Sequence, residues 1–432
     1  MRRTRSNRYW APRAALVGLG FYLALALATG TAAADIGDLR AAAKKPPKDP
    51  AAALELGRDL RRAGLYTEAH RVLKGASAGS SGLGPTLRLE GVRALLAAGS
   101  QKAALRECGE LKKASKVAGE ICESEAQLLW KRGSLALPAA ERALDAEPHN
   151  YDALVARGRA LGHLGQPAEA ESAFKQAMGV DGARYEAPWR MGELLGSNGD
   201  KSGGVAALKQ AQSLEAREPD LLLALAAVLG DAAERVKLLE AAVAIRPDFP
   251  PALSALGEAL LDTGKLAEAE AALKKAILLN KKDAAAHVAI GRVQLAKGNA
   301  DEALKAANLA LKIVANHAGA KLLQADALAG KGDIDLAIEA YEAAYGYART
   351  EPAALVHAAR ACLDGKRPTT AAAFAERATQ EFPNWGPAWE IAGDVAKETG
   401  DKPAAKADYQ KALAGAGPID KSAIKAKIAA LK

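Results

Sequence analysis

The chain has 432 residues, and half are hydrophobic, yet 105 of those are Ala and only 19 residues are aromatic. So few large side chains exclude a thick globular core, and half apolar content with a small net charge excludes a wholly disordered chain. The net charge of +8 invites a nucleic-acid or membrane-surface role until its location is fixed.

Residues 1–34 fix it. Arg2, Arg3, Arg5, Arg8 and Arg13 precede a 15-residue apolar run from Ala14 to Ala28, and no acidic residue occurs before Asp35. Small residues follow, with Ala32-Ala33-Ala34 in the A-x-A pattern, so the segment reads as a secretory signal peptide with a mature start at Asp35. Counted to Ala34 the run could also serve as an uncleaved anchor over residues 14–34, and both remain open. Without the five arginines the net charge falls to +3, spread along the chain, with no interleaving of basic and aromatic residues. Nucleic acid is therefore not an expected partner. Residues 35–49, containing KKPPKD, read as a short helix and a linker.

From Pro50 onward the chain repeats at about 34 residues. Gly257, Gly264, Ala269, Leu273 and Ala276 are followed 34 residues on by Gly291, Gly298, Ala303, Ala307 and Ala310. The next step gives Ala325, Gly332, Ala337, Tyr341 and Ala344, and a last one gives Gly393, Gly400, Ala405, Tyr409 and Ala412. The same marks appear at Gly158, Gly165, Ala170, Phe174 and Ala177, and near the start at Gly57, Gly64, Ala69, Leu73 and Ala76. Small residues recur where two helix backbones must touch, so each period predicts a helix hairpin. Units begin near Pro50, Gly84, Ala118, Tyr151, Tyr185, Pro219, Pro250, Ala284, Ala318, Pro352 and Gly386. That makes about eleven across residues 50–417. Unit 118–150 lacks the paired marks, and unit 219–249 is about three residues short. Residues 418–432 carry Ile424, Ile428 and Leu431 at roughly helical spacing and are expected to cap the array.

These marks resemble the tetratricopeptide repeat (TPR), with Trp, Leu, Gly and Tyr on a first helix and Ala, Phe, Ala and a closing Pro on a second. Pro148, Pro247 and Pro383 stand at the closing position. The resemblance implies an all-α, right-handed α-solenoid of stacked antiparallel hairpins, with the first helices lining a concave face that binds other proteins. The Lys/Asn clamp by which some relatives grip a carboxyl-terminal tail has no counterpart here, so chaperone-tail binding is not implied.

No nucleophile, metal or phosphate motif emerges. The six His are scattered, and no Walker-type run occurs, so the chain reads as non-catalytic, with no cofactor and no metal. The positions after the repeat markers are the candidates for partner contact: Arg58, Arg159, Glu193, Glu258, Arg292, Asp326, Arg360 and Asp394. The alternation Arg292, Asp326, Arg360, Asp394 predicts either a ladder of inter-repeat ion pairs or a mixed-charge groove. Trp385, ahead of its helix, is the candidate exposed anchor, whereas Trp189 and Trp389 read as hairpin packing. Cys108 and Cys122 lie equally far from Ser115 in a predicted turn, so export would allow a disulfide, the alternative being two buried thiols. Cys362 reads as a small buried hydrophobe.

The expected function is a non-catalytic protein–protein interaction scaffold of the bacterial cell envelope, periplasmic or secreted, whose partners are envelope-complex subunits. A cell-wall or polysaccharide-binding protein is the alternative, to be told apart by exposed Trp385 and Trp189.

Overall fold

The computed structural model describes residues 35–431 except Gly79 and Ser81, so the expected signal peptide lies outside the described residues. Every regular element described is a helix, and the helices group into two compact units that meet in sequence at Phe249 and Pro250. The first unit holds α1 (Ile36–Lys44), α2 (Pro50–Arg62), α3 (Tyr66–Ser77), α4 (Gly84–Ala97), α5 (Gln101–Ala114), α6 (Lys116–Leu129) and α7 (Gly133–Ala146). It continues with α8 (Tyr151–His163), α9 (Pro167–Val180), α10 (Glu186–Ser197), α11 (Lys201–Leu214), α12 (Pro219–Val228) and α13 (Ala232–Ile245). The second holds α14 (Pro250–Asp262), α15 (Leu266–Leu279), α16 (Ala284–Ala296), α17 (Ala300–Ile313), α18 (Ala318–Gly330) and α19 (Ile334–Tyr347). It ends with α20 (Ala353–Asp364), α21 (Pro368–Glu381), α22 (Gly386–Glu398), α23 (Lys402–Ala414) and α24 (Lys421–Ala429). Within each unit, consecutive helices pack as hairpins that stack on their neighbours, an all-α solenoid.

The small residues do the work expected of them. A Cβ on Gly158 would lie 2.5 Å from the ring of Phe174, and one on Gly393 would lie 2.6 Å from Tyr409, so the facing aromatic fills the space a side chain would need. Seven residues after the marker the chain must turn left-handed, and Gly takes that position at 64, 165, 264, 298, 332 and 400. Lys131 and Lys366 adopt the same left-handed backbone, with φ of 56° and 57°. Asp49, Asn150, Asp231 and Asp283 cap first or second helices by accepting a backbone N–H three residues on.

The irregular repeats are hairpins as well. In the third, Ser124 is fully buried at the marker position and Lys131 replaces the turn glycine. The sixth is shortened because α12 spans ten residues and passes into α13 through an extended Leu229. In residues 35–49, read as a short helix and a linker, α1 buries Leu39 and Ala43 in the core of the first hairpin, and the stretch after it is irregular. The cap over the last hairpin starts at Lys421 rather than Pro418, and Ile424 is fully buried against Tyr409 and Ala412, with Ile428 and Leu431 beside it. Among the described residues no helix is long and apolar enough to cross a membrane.

Candidate interaction surface

Each unit has a cavity faced by its first helices. In the second unit a cavity of about 740 Å³ is lined by Asp326, Tyr341, His357, Arg360, Asp364 and Arg367, among others. Residues that follow the markers on α18 and α20, Asp326 and Arg360, meet here, because a first helix repeats its outward face once per period. The predicted ladder is half formed. Arg360 forms an ion pair with Asp394 one repeat on, and Asp394 also accepts from Tyr409 Oη at 2.7 Å and Lys427 Nζ at 2.9 Å. Burial alone would raise the Asp394 carboxyl, but these three donors outweigh it and hold it below the ordinary range. Arg292, by contrast, reaches back to Asp262 at 4.0 Å, not forward to Asp326. Asp326 accepts from Tyr341 Oη at 2.8 Å and lies 2.9 Å from His357 Nδ1. His357, a turn before Arg360, therefore takes the rung that alternation alone assigned to arginine. Burial disfavours charge on this ring, and the Asp326 bond more than offsets it, so its pKa is raised.

Trp385 is not a free anchor. It is half-buried, and a Cβ on Gly417 would come within 2.5 Å of its indole nitrogen, so the turn before α24 covers it. That turn is held by Gly386 N–H donating to Ala416 O at 2.6 Å and Ala416 N–H to Asn384 O at 2.8 Å. Trp189 is 6% exposed beneath the Arg190 guanidinium, which lies 3.7 Å from its ring centroid. Neither tryptophan offers the open platform that sugar binding would favour.

The first unit contains the more elaborate surface. A cavity of about 690 Å³ is lined from α2, α4, α6, α8 and α10, with seven arginines and seven carboxylates among its walls. Arg93 stands at the centre of a chain of ion pairs across three hairpins, to Glu90 at 2.8 Å, Glu125 at 2.7 Å and Asp152 at 2.8 Å; Arg184, in the loop before the next hairpin, joins Asp152 at 2.9 Å. Burial would raise Asp152, yet Arg93 and Arg184 together pull it far down. The guanidinium of Arg184 also lies 3.9 Å from the ring centroid of Tyr151.

The two ends of this unit are clasped together. Glu218, fully buried, accepts from Arg61 at 3.0 Å and from Tyr185 Oη at 3.2 Å. Arg62 pairs with Asp59 at 3.0 Å and with Glu215, Arg217 reaches Asp59 at 3.2 Å, and Arg246 Nε donates to Arg62 O at 2.9 Å. The first hairpin thus docks on the fifth and sixth through buried charge.

Between α5 and α6, Cys108 and Cys122 are joined as a disulfide across the Ser115 turn, with Cα atoms 5.4 Å apart. Both sulfurs lie in a buried cluster with Leu111, Ala118 and Ile121. Cys362 is buried and free. Among the described residues no three metal-ligating side chains converge.

Stacked helix hairpins whose first helices line charged cavities define a helical-repeat fold. The family model of the tetratricopeptide repeat matches residues 125–183, 254–318 and 322–384, so these stretches are tetratricopeptide repeats. Similar solved structures include a tetratricopeptide repeat protein from Parabacteroides merdae, at 17% identity and a TM-score of 0.49 over 57% of this chain and 98% of that one. Yeast Tom70 aligns at 13% identity and a TM-score of 0.46, over 88% of this chain and 95% of that one. YrrB, a TPR protein with an unusual peptide-binding site, aligns at 19% identity and a TM-score of 0.37, over 42% of this chain and 95% of that one. No curated protein matches the sequence significantly.

Proposed function

We propose that this chain is a non-catalytic protein–protein interaction scaffold of the bacterial cell envelope, exported by residues 1–34, that captures segments of envelope-complex subunits on the faces of its first helices. The observation that carries the reading is the pair of charged cavities lined by those helices, set on a repeat that serves as an interaction module. Many shallow contacts along such faces sum to useful affinity without a single deep pocket. The positive, apolar, small-residue order of residues 1–34 and the Cys108–Cys122 disulfide both favour an oxidising compartment. The polysaccharide alternative has less support, with Trp189 buried and Trp385 half-buried. The test is photo-crosslinking in cells from positions 93 and 360 of the full chain, followed by fractionation. Specific adducts with envelope proteins support the reading; no adduct, or adducts confined to cytosolic proteins, overturns it.

A further inference from the structure

The walls of the first unit's cavity are almost neutralised from within, with one exception. Arg58 pairs with Glu55, Arg61 with Glu218, Arg62 with Asp59, Arg93 with Glu90, Arg184 with Asp152 and Arg190 with Glu193. Arg159, which follows the marker Gly158 on α8, lines the same cavity, and its guanidinium makes no ion pair or hydrogen bond with any described residue. It is half-buried, with Arg190 and Arg93 near it and the carboxylates of Glu125 and Glu193, both engaged by other arginines, only partly offsetting them. Burial, with the neighbouring positive charge of Arg190 adding to it, pulls its pKa down to about 10. A guanidinium that keeps its charge in such surroundings is a cost to the free protein, and it is relieved by an anion. Its planar fork matches a carboxylate bidentately.

The rest of the lining narrows the ligand. Glu55 and Asp220, paired with Arg58 and Arg246, still leave 57% and 41% of their side chains exposed at the edge. Their exposed oxygens, each pair being open to water on one side, can take a second cation and disfavour a strongly acidic tail. Leu96, Ala97, Leu129 and Val155 supply apolar wall between them. We propose that this cavity binds an internal partner segment in which a single Asp or Glu side chain, flanked at short range by basic residues, seats its carboxylate on Arg159 while the flanking cations meet the acidic rim. This rests on the scaffold reading, and it names the chemistry of the segment that the first unit would take.

The experiment titrates the full chain, by calorimetry, with acetyl-Lys-Ala-Glu-Ala-Lys-amide and with its Gln counterpart. The Glu peptide is expected to bind and the Gln peptide to bind at least ten-fold more weakly. R159Q removes that difference, while R159K, which keeps the charge but not the fork, retains part of it. The free R159Q protein is expected to melt no lower than the parent, because an uncompensated charge has been removed; a group with only a structural role would lower the melting temperature. Equal binding of the two peptides, no binding of either, binding that requires a free C-terminal carboxylate, or a lower melting temperature in R159Q each overturns the proposal. None of these results touches the crosslinking test of the scaffold role, which reads position 360 as well.

Discussion

Replacing Glu218 by Ala tests whether buried charge holds the first unit closed. Glu218 is fully buried and bonded to Arg61 at 3.0 Å and Tyr185 Oη at 3.2 Å. At that separation the Arg61–Glu218 attraction is about 5 kcal/mol with an effective dielectric near ~20. Desolvation of both partners offsets much of this in the intact pair, so the pair itself adds little. Removing one partner is different, because the other stays buried and charged, at a cost of about 3–5 kcal/mol. Arg62 keeps Asp59 and Glu215 when Glu218 is lost, whereas Arg61 has no other ion pair among the described residues. The Arg61 side chain is 18% exposed and can recover part of its hydration, so the lower end, about 3 kcal/mol, is expected. Hydrogen exchange read by mass spectrometry on the full chain is the assay: amides of α2 and α12 should exchange roughly 100-fold faster, since 1.36 kcal/mol corresponds to about a factor of ten. Amides in α16 to α19 should be unchanged. An acceleration below about three-fold in α2 would refute the claim that the clasp is an energetic closure.

Reducing the Cys108–Cys122 bond, which closes a loop of about 15 residues, should lower the stability of α5 and α6 by about 3 kcal/mol. Urea melts of the parent with and without reductant check this, and a C108S/C122S double variant should show no response to reductant. Lys366→Gly should stabilise the second unit by about 0.5–1 kcal/mol, because a left-handed backbone costs a non-glycine residue about 1–2 kcal/mol and added chain entropy returns part of that; a lower melting temperature would contradict it. His357 has its pKa raised in the fold by Asp326, so its contribution is fully present below the unfolded value near ~6.5 and is lost as pH rises through the folded one. With the ring 45% exposed the effect is small, about 0.5 kcal/mol. H357A should therefore destabilise more at pH 5.5 than at pH 8.5, as read by urea midpoints at the two values.

The hairpins were legible because their determinants are local. Gly158 and Phe174, or Gly393 and Tyr409, are 16 residues apart and touch through one turn, so their types record the contact. The third repeat was obscured for a matching reason: Ser124 is small enough to be buried at the marker position, and Lys131 can adopt the turn at a cost, so structure persists where the pattern fails. The interaction surface was legible only as a set of positions. Alternating Arg292, Asp326, Arg360 and Asp394 suggested uniform rungs, but which partner a long side chain meets depends on helix rotation, and His357 occupies one of them. The clasp carried no local signal, since Arg61 and Glu218 are 157 residues apart and meet through the summed rotation of the intervening hairpins. Arg159 stood among the candidate positions from the start; its want of a partner became visible only once its neighbours were seen to be taken.

The clasp also bears on how the chain matures. A stacked repeat ordinarily forms step by step, each hairpin needing only the one before it. Here the first hairpin must wait for Glu218, and at a synthesis rate of about 5–20 residues per second the intervening 157 residues take roughly 8–30 s to appear. During that interval Arg61 and Arg62 remain hydrated, and the early hairpins can form without their final contacts. Ring closure then comes as a late event of long sequence separation, which makes the first unit slower to complete than its helical content alone implies.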